Sequence, residues 1–144
     1  MEKEKLDEFL RELLQYYPRI LEESKLKSDW KVPSITSLAQ AIQLISQKEM
    51  YLIPEDFFFS ETGDFTLKWK TQNNSGKQFW LTFFDNKDIS YSEVVFGEVT
   101  KEKFVIYEDE ISYFNNLKIV ETEMLNFLEG STGIFAFAST SLNI

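Results

Sequence analysis

Among its 144 residues the chain has no cysteine and no histidine, and only five glycines and three prolines. The first absence excludes disulfides, thiol nucleophiles and cysteine-ligated metals. The second removes imidazole acid–base chemistry and most transition-metal ligation. With so few glycines there is little material for a phosphate cradle, and neither Gly-x-x-x-x-Gly-Lys-Ser/Thr nor Gly-x-Gly-x-x-Gly occurs. No Gly-x-Ser-x-Gly elbow is present, and no histidine stands by to activate a hydroxyl. Long apolar runs are also missing. Nothing approaches the roughly 20 apolar residues that cross a bilayer, and the opening Met1-Glu2-Lys3-Glu4-Lys5 leads into no signal-peptide core. A soluble, cytoplasmic protein without a cofactor is the expectation. Basic residues are in the minority, 15 against 24 acidic, for a net charge of −9 and a pI near 4.6. Nucleic acid and anionic lipid would be repelled, so neither is expected as a partner.

What is present is a large apolar and aromatic complement, 43% and 16% of residues, enough to build one core. Leu6, Phe9, Leu10, Leu13, Leu14 and Tyr17 follow helical spacing, with Glu2, Glu4 and Asp7 near the positive N-terminal end. Pro18 falls inside this pattern, where the helix either kinks or stops and restarts. A second stripe, Ile35, Leu38, Ala39, Ile42 and Ile45, predicts a helix to about Lys48, with Ser34 as N-cap and Val32 as staple residue.

Strands follow. Phe57-Phe58-Phe59 suits a buried extended segment, and Phe65, Leu67 and Trp69 alternate with Thr66, Lys68 and Lys70 at period two. Asn73-Asn74-Ser75-Gly76 supplies a hairpin turn before a strand over 78–84, and Asp85-Asn86-Lys87-Asp88 a second turn before 89–96. A further strand is read at Phe104 to Tyr107. Asn115-Asn116 punctuates the chain ahead of Leu117, Val120, Met124, Phe127 and Leu128, the face of a helix over 117–130 that closes at Gly130. The uncharged stretch 131–144 is either an edge strand or a loose apolar tail. The reading is one α+β domain over 1–144: a helical region at 1–50, an antiparallel meander of four or five strands at 51–115, and one C-terminal helix.

The order of landmarks resembles a group of small, uncharacterised bacterial proteins with an Asp-Trp…Pro lead into a helix and a Gly-led strand ending in Trp. Here these are Asp29-Trp30 with Pro33, then Pro54, then Gly63 through Trp69, and Phe84 through Tyr91 at the next turn. The chain departs from that pattern at Lys31 and Val32, where a glycine is usual. The resemblance implies a fold outline and no activity.

Carboxylates are the only abundant acid–base groups, so an enzyme would be a carboxylate-pair hydrolase or a magnesium-dependent one. Asp85 with Asp88 is the nearest pair, read most simply as turn chemistry. Glu108-Asp109-Glu110 sits at a strand end, read first as a solvated face and second as a partner-facing patch. Trp80 and Phe84 lie on the opposite strand face from Phe79, Leu81 and Phe83, and Trp30 either plugs the sheet or stands exposed. Residues 1–72 carry a net −3 and residues 73–144 a net −6. This composition leads to a non-enzymatic protein-interaction module of the antitoxin, immunity, inhibitor or chaperone-like kind. It would bind a protein partner, basic in character, or a second copy of itself as a homodimer, through Trp30, Trp80, Phe84, Glu108, Asp109 and Glu110. The alternatives are a small-ligand pocket between sheet and helices and, third, a carboxylate enzyme.

Overall fold

The computed structural model describes residues 2–47, 53–71 and 75–129. Among them are two N-terminal helices, five strands and a C-terminal helix: α1 (Glu2–Lys25), α2 (Ile35–Ile45), β1 (Asp56–Phe59), β2 (Phe65–Lys70), β3 (Lys77–Phe83), β4 (Ile89–Val95), β5 (Glu98–Val105) and α3 (Glu110–Leu128). The strands form one antiparallel meander in the order β1-β2-β3-β4-β5. The α+β architecture expected from the pattern is the one observed.

Register explains the core. Pairing sets Phe65 opposite Phe83, Leu67 opposite Leu81, Trp69 opposite Phe79, and Leu81 opposite Tyr91, so the period-two apolar residues of three strands fall on one face. All of these are buried, with Phe65, Leu67, Phe79 and Phe83 wholly so. The helices cover that face. From α1, the Phe9 ring meets the Phe57 ring edge-on at 5.5 Å and Tyr16 stacks on Phe59 at 6.0 Å. From α2 and α3, Gln40 accepts a hydrogen bond from the Tyr113 hydroxyl at 3.0 Å. Tyr91 donates from the sheet to Glu123 of α3.

Several boundaries depart from the sequence reading. α1 runs unbroken through Pro18, so the helix does not stop and restart there; Pro18 is exposed, on the side of α1 where the proline ring does not disturb the core. α2 ends at Ile45, capped by the Ser46 N–H, rather than near Lys48. Its buried face is also rotated: Ser37, Leu38, Gln40, Ala41, Leu44 and Ile45 turn inward, while Ile35 is 58% exposed and Ala39 exposed. β5 begins at Glu98, well before Phe104, because Phe96 (φ 48°) and Gly97 (φ 83°) both adopt the left-handed region and close a two-residue hairpin. α3 starts at Glu110 and not at Leu117, so Asn115 and Asn116 lie inside the helix and the sheet region ends well before residue 115. Asn73, Asn74, Gly130 and the stretch 131–144 lie outside the described residues.

Candidate functional site

At one end of the sheet three loops converge, those at 31–35, 62–64 and 84–86. The turn between β1 and β2 is tied by Ser60 N–H to Asp64 O and Gly63 N–H to Ser60 O, both at 2.9 Å, and by Thr62 Oγ1 donating to Asp64 at 2.8 Å. The segment leading into α2 is laid along this turn: Lys31 N–H donates to Glu61 O at 2.8 Å and Ser34 N–H to Gly63 O at 2.9 Å. Gly63 has φ 87°, and a Cβ there would lie 2.6 Å from the Val32 carbonyl oxygen. Only glycine allows both the backbone angle and the approach.

Ser34 joins the third loop. Its Oγ accepts the Ser37 N–H at 3.0 Å, capping α2, and donates to Asp85 Oδ1 at 2.6 Å. Asp85 thereby stands near the positive end of α2, where a carboxylate is favoured. Tyr17 of α1 donates to the Pro33 carbonyl at 3.2 Å and holds the lead-in from below. The result is a surface cavity of about 600 Å³. Its apolar wall is Val32, Ile35 and Phe84, its polar rim Lys31, Asp64 and Asp85. Val32 is 67% exposed, and Phe84 packs its other side on Phe104 at 5.4 Å. The landmarks Pro33, Gly63, Asp64, Phe84, Asp85 and Asn86, scattered over half the chain, all line this one place.

The structure brings together some of the residues singled out by sequence and separates others. Phe84 lines the cavity and begins a turn in which its N–H donates to Asp88 O and its carbonyl accepts from Lys87 N–H, both at 3.0 Å. From that turn Lys87 reaches Glu110 at 2.7 Å, so Phe84 and the acidic run are neighbours. The run is not a free patch. Asp109 caps α3 by accepting the Ser112 N–H at 2.8 Å, and Glu110 accepts from Lys87 and from the Tyr107 hydroxyl. The Lys87 hydrogen bond, then that of Tyr107, holds the Glu110 carboxyl below its ordinary range. The same Glu110 contact raises Lys87. Glu108 is exposed.

Trp30 is partly buried against the core at the mouth of the lead-in segment, its ring covered by the Lys27 ammonium at 4.1 Å. Trp80 lies apart, on the sheet face that none of the described helices covers. There Lys68 sits over both its ring at 4.4 Å and that of Phe58 at 5.0 Å, and its indole N–H donates to Gln78 at 2.8 Å. This face satisfies itself locally.

Both carboxylates of the Asp85 and Asp88 pair are hydrogen-bonded within the chain. Asp85 binds Ser34, and Asp88 accepts the Tyr107 N–H at 2.8 Å and the Asn86 amide at 3.0 Å. Among the described residues no group of three or more acidic side chains is placed to hold a metal ion, and no helix is long and apolar enough to cross a membrane. The residues that sequence reasoning missed are Val32 and Ile35. Both looked like packing positions, and their exposure depends on how α2 is rotated against the sheet. No family model, curated protein or solved structure matches this chain.

Proposed function

We propose that the chain is a non-enzymatic protein-binding module whose docking site is the cavity at Phe84. One observation carries the reading: exposed Val32 and Ile35 and half-buried Phe84 line one cavity in a chain of net charge −9, with Asp64 and Asp85 outnumbering Lys31 on its rim. Exposed apolar groups ringed by charge are the usual anatomy of a protein contact. The occupant is an apolar side chain of the partner, flanked by basic residues that meet the two carboxylates. The overall negative charge would speed its approach.

The test compares capture by the wild-type chain with capture by the double variant Val32→Glu, Ile35→Glu. Both positions are exposed, and an acidic residue at the first position of α2 favours the helix, so the variant should fold. A basic protein bound by wild type and lost at high salt, lost also by this variant yet retained by Glu108→Lys, is the expected result. Equal capture by Val32→Glu, Ile35→Glu sinks the proposal. The cavity volume also falls in the range of small-molecule sites. That second reading predicts a small apolar ligand that raises the melting temperature of wild type, fails to do so in the double variant, and needs no protein partner.

A further inference from the structure

Among the described residues the two edges of the sheet, β1 and β5, are finished differently. On β1 the N–H of Phe57 is taken by Asp56 Oδ1 at 2.8 Å and that of Phe59 by Tyr16 Oη of α1 at 3.3 Å, so side chains already occupy donors that an added strand would need. On β5 every residue from Glu98 to Phe104 is exposed. This strand carries Lys101, Glu102 and Lys103 in succession. Lys101 and Lys103 pair with Glu93 and Tyr91, on the helix-covered face, and Glu102 pairs with Ser92 on the open face. An irregularity at Glu93/Val94 separates this stretch from Glu98 and Val99.

A second copy docking edge to edge about a two-fold axis normal to the sheet would set β5 antiparallel to itself. Centred on Lys101, that residue opposes its own copy. Centred on Glu102, the two glutamates oppose each other and Lys101 opposes Lys103 twice. Centred on Lys103, the lysines meet again. Like charges directly opposite destabilise a pair of strands, and opposite charges stabilise it. An unlike strand with the order acidic–basic–acidic sets an opposite charge against all three positions, beside the Glu123 carboxylate that Lys101 already reaches at 3.4 Å and the Ser92 hydroxyl from which Glu102 accepts at 3.4 Å.

We propose that β5 is a strand-accepting edge whose charges oppose self-pairing in the registers centred on Lys101, Glu102 and Lys103, and that it takes an extended segment of another protein with acidic, basic and acidic residues opposite Lys103, Glu102 and Lys101. Phe104 of β5 packs on Phe84 at 5.4 Å, but strand capture rests on backbone pairing and charge order along β5 and not on the cavity.

Two peptides test it on the intact protein, Val-Thr-Glu-Lys-Glu-Thr-Val-Lys and its charge-exchanged form Val-Thr-Lys-Glu-Lys-Thr-Val-Glu. Both have no net side-chain charge, so the long-range field of the protein does not distinguish them. The first should bind with a dissociation constant lower by about tenfold or more and slow amide exchange within Glu98–Val105. Equal affinities, or protection confined to other strands, would overturn the proposal. In a second arm the variant Glu102→Thr, Lys103→Glu turns the register centred on 102 into one of opposite charges. Sedimentation should find wild type monomeric and the folded variant dimeric at the same concentration. A wild-type dimer with β5 protected, or a folded variant that stays monomeric, counts equally against it.

Discussion

Gly63 shows how much one residue of this chain is asked to do. It leads strand β2 in the sequence, and its presence in a turn was legible there; its necessity was not, because the Val32 carbonyl oxygen that excludes a side chain comes from 31 residues away. Replacing Gly63 with Ala forces a Cβ into that oxygen at φ 87°. Strain of this kind costs about 1–3 kcal/mol, and the loss should appear in chemical denaturation. Because Ser34 hydrogen-bonds to the Gly63 carbonyl, the same variant should loosen the 31–35 segment and raise its amide exchange. A full loss of stability without local change at 31–35 would argue against this coupling. Ile35 and Ser37 make the complementary point. Hydrophobicity placed Ile35 in the core, yet Ser37 is buried and Ile35 is not, because the Ser34 cap and its bond to Asp85 fix where α2 begins and how it is rotated.

The elements themselves were largely readable. Period-two alternation located β2 and β3, and helical spacing located α1, because both patterns express one buried face. Errors fell where capping or turn geometry set the boundary. Asp109 begins α3 one full turn and more ahead of the apolar stripe that announced it, and Phe96, a residue seldom found in the left-handed region, makes the β4–β5 turn with Gly97. Pro18 predicts a kink or interruption of the helix, and the structure shows no interruption there. Phe9 and Leu13 before it and Ile20 after it are all buried, so both halves of α1 are anchored on the same core and the helix continues. Pro18→Ala should therefore restore a backbone hydrogen bond at an exposed site and stabilise the protein, by roughly 1–3 kcal/mol, as a rise in melting temperature. A fall would mean that the proline ring packs in a way its exposure does not suggest.

At the scale of the whole molecule, the tethers between α3 and the rest predict its pH limits. The hydrogen bond from Tyr91, followed by that from Lys101, lowers the Glu123 carboxyl from its ordinary value. A depressed carboxyl stabilises above its unfolded-state pKa and loses that contribution as pH falls through the folded one. The stability difference between wild type and Glu123→Gln should thus be largest near neutrality and shrink in acid. Tyr91 and Tyr113 are both raised from 10.0, chiefly by burial. Their raised folded pKa leaves stability intact below about 10 and erodes it at higher pH, as the unfolded chain ionises first. Tyr113→Phe should flatten that alkaline limb. Denaturation curves across pH check both signs, and an unchanged acid difference in Glu123→Gln would remove the Tyr91 contact from the account. By itself the sequence determined the fold class and the faces of most elements, and its missing cysteine and histidine closed off whole classes of chemistry, since composition and periodicity are local and additive. Only the tertiary structure decided that Val32, Ile35 and Phe84 meet beside Asp64 and Asp85 and that the acidic run at 108–110 is largely committed to α3 and Lys87. Those outcomes depend on register, helix rotation and loop closure between residues far apart in the chain.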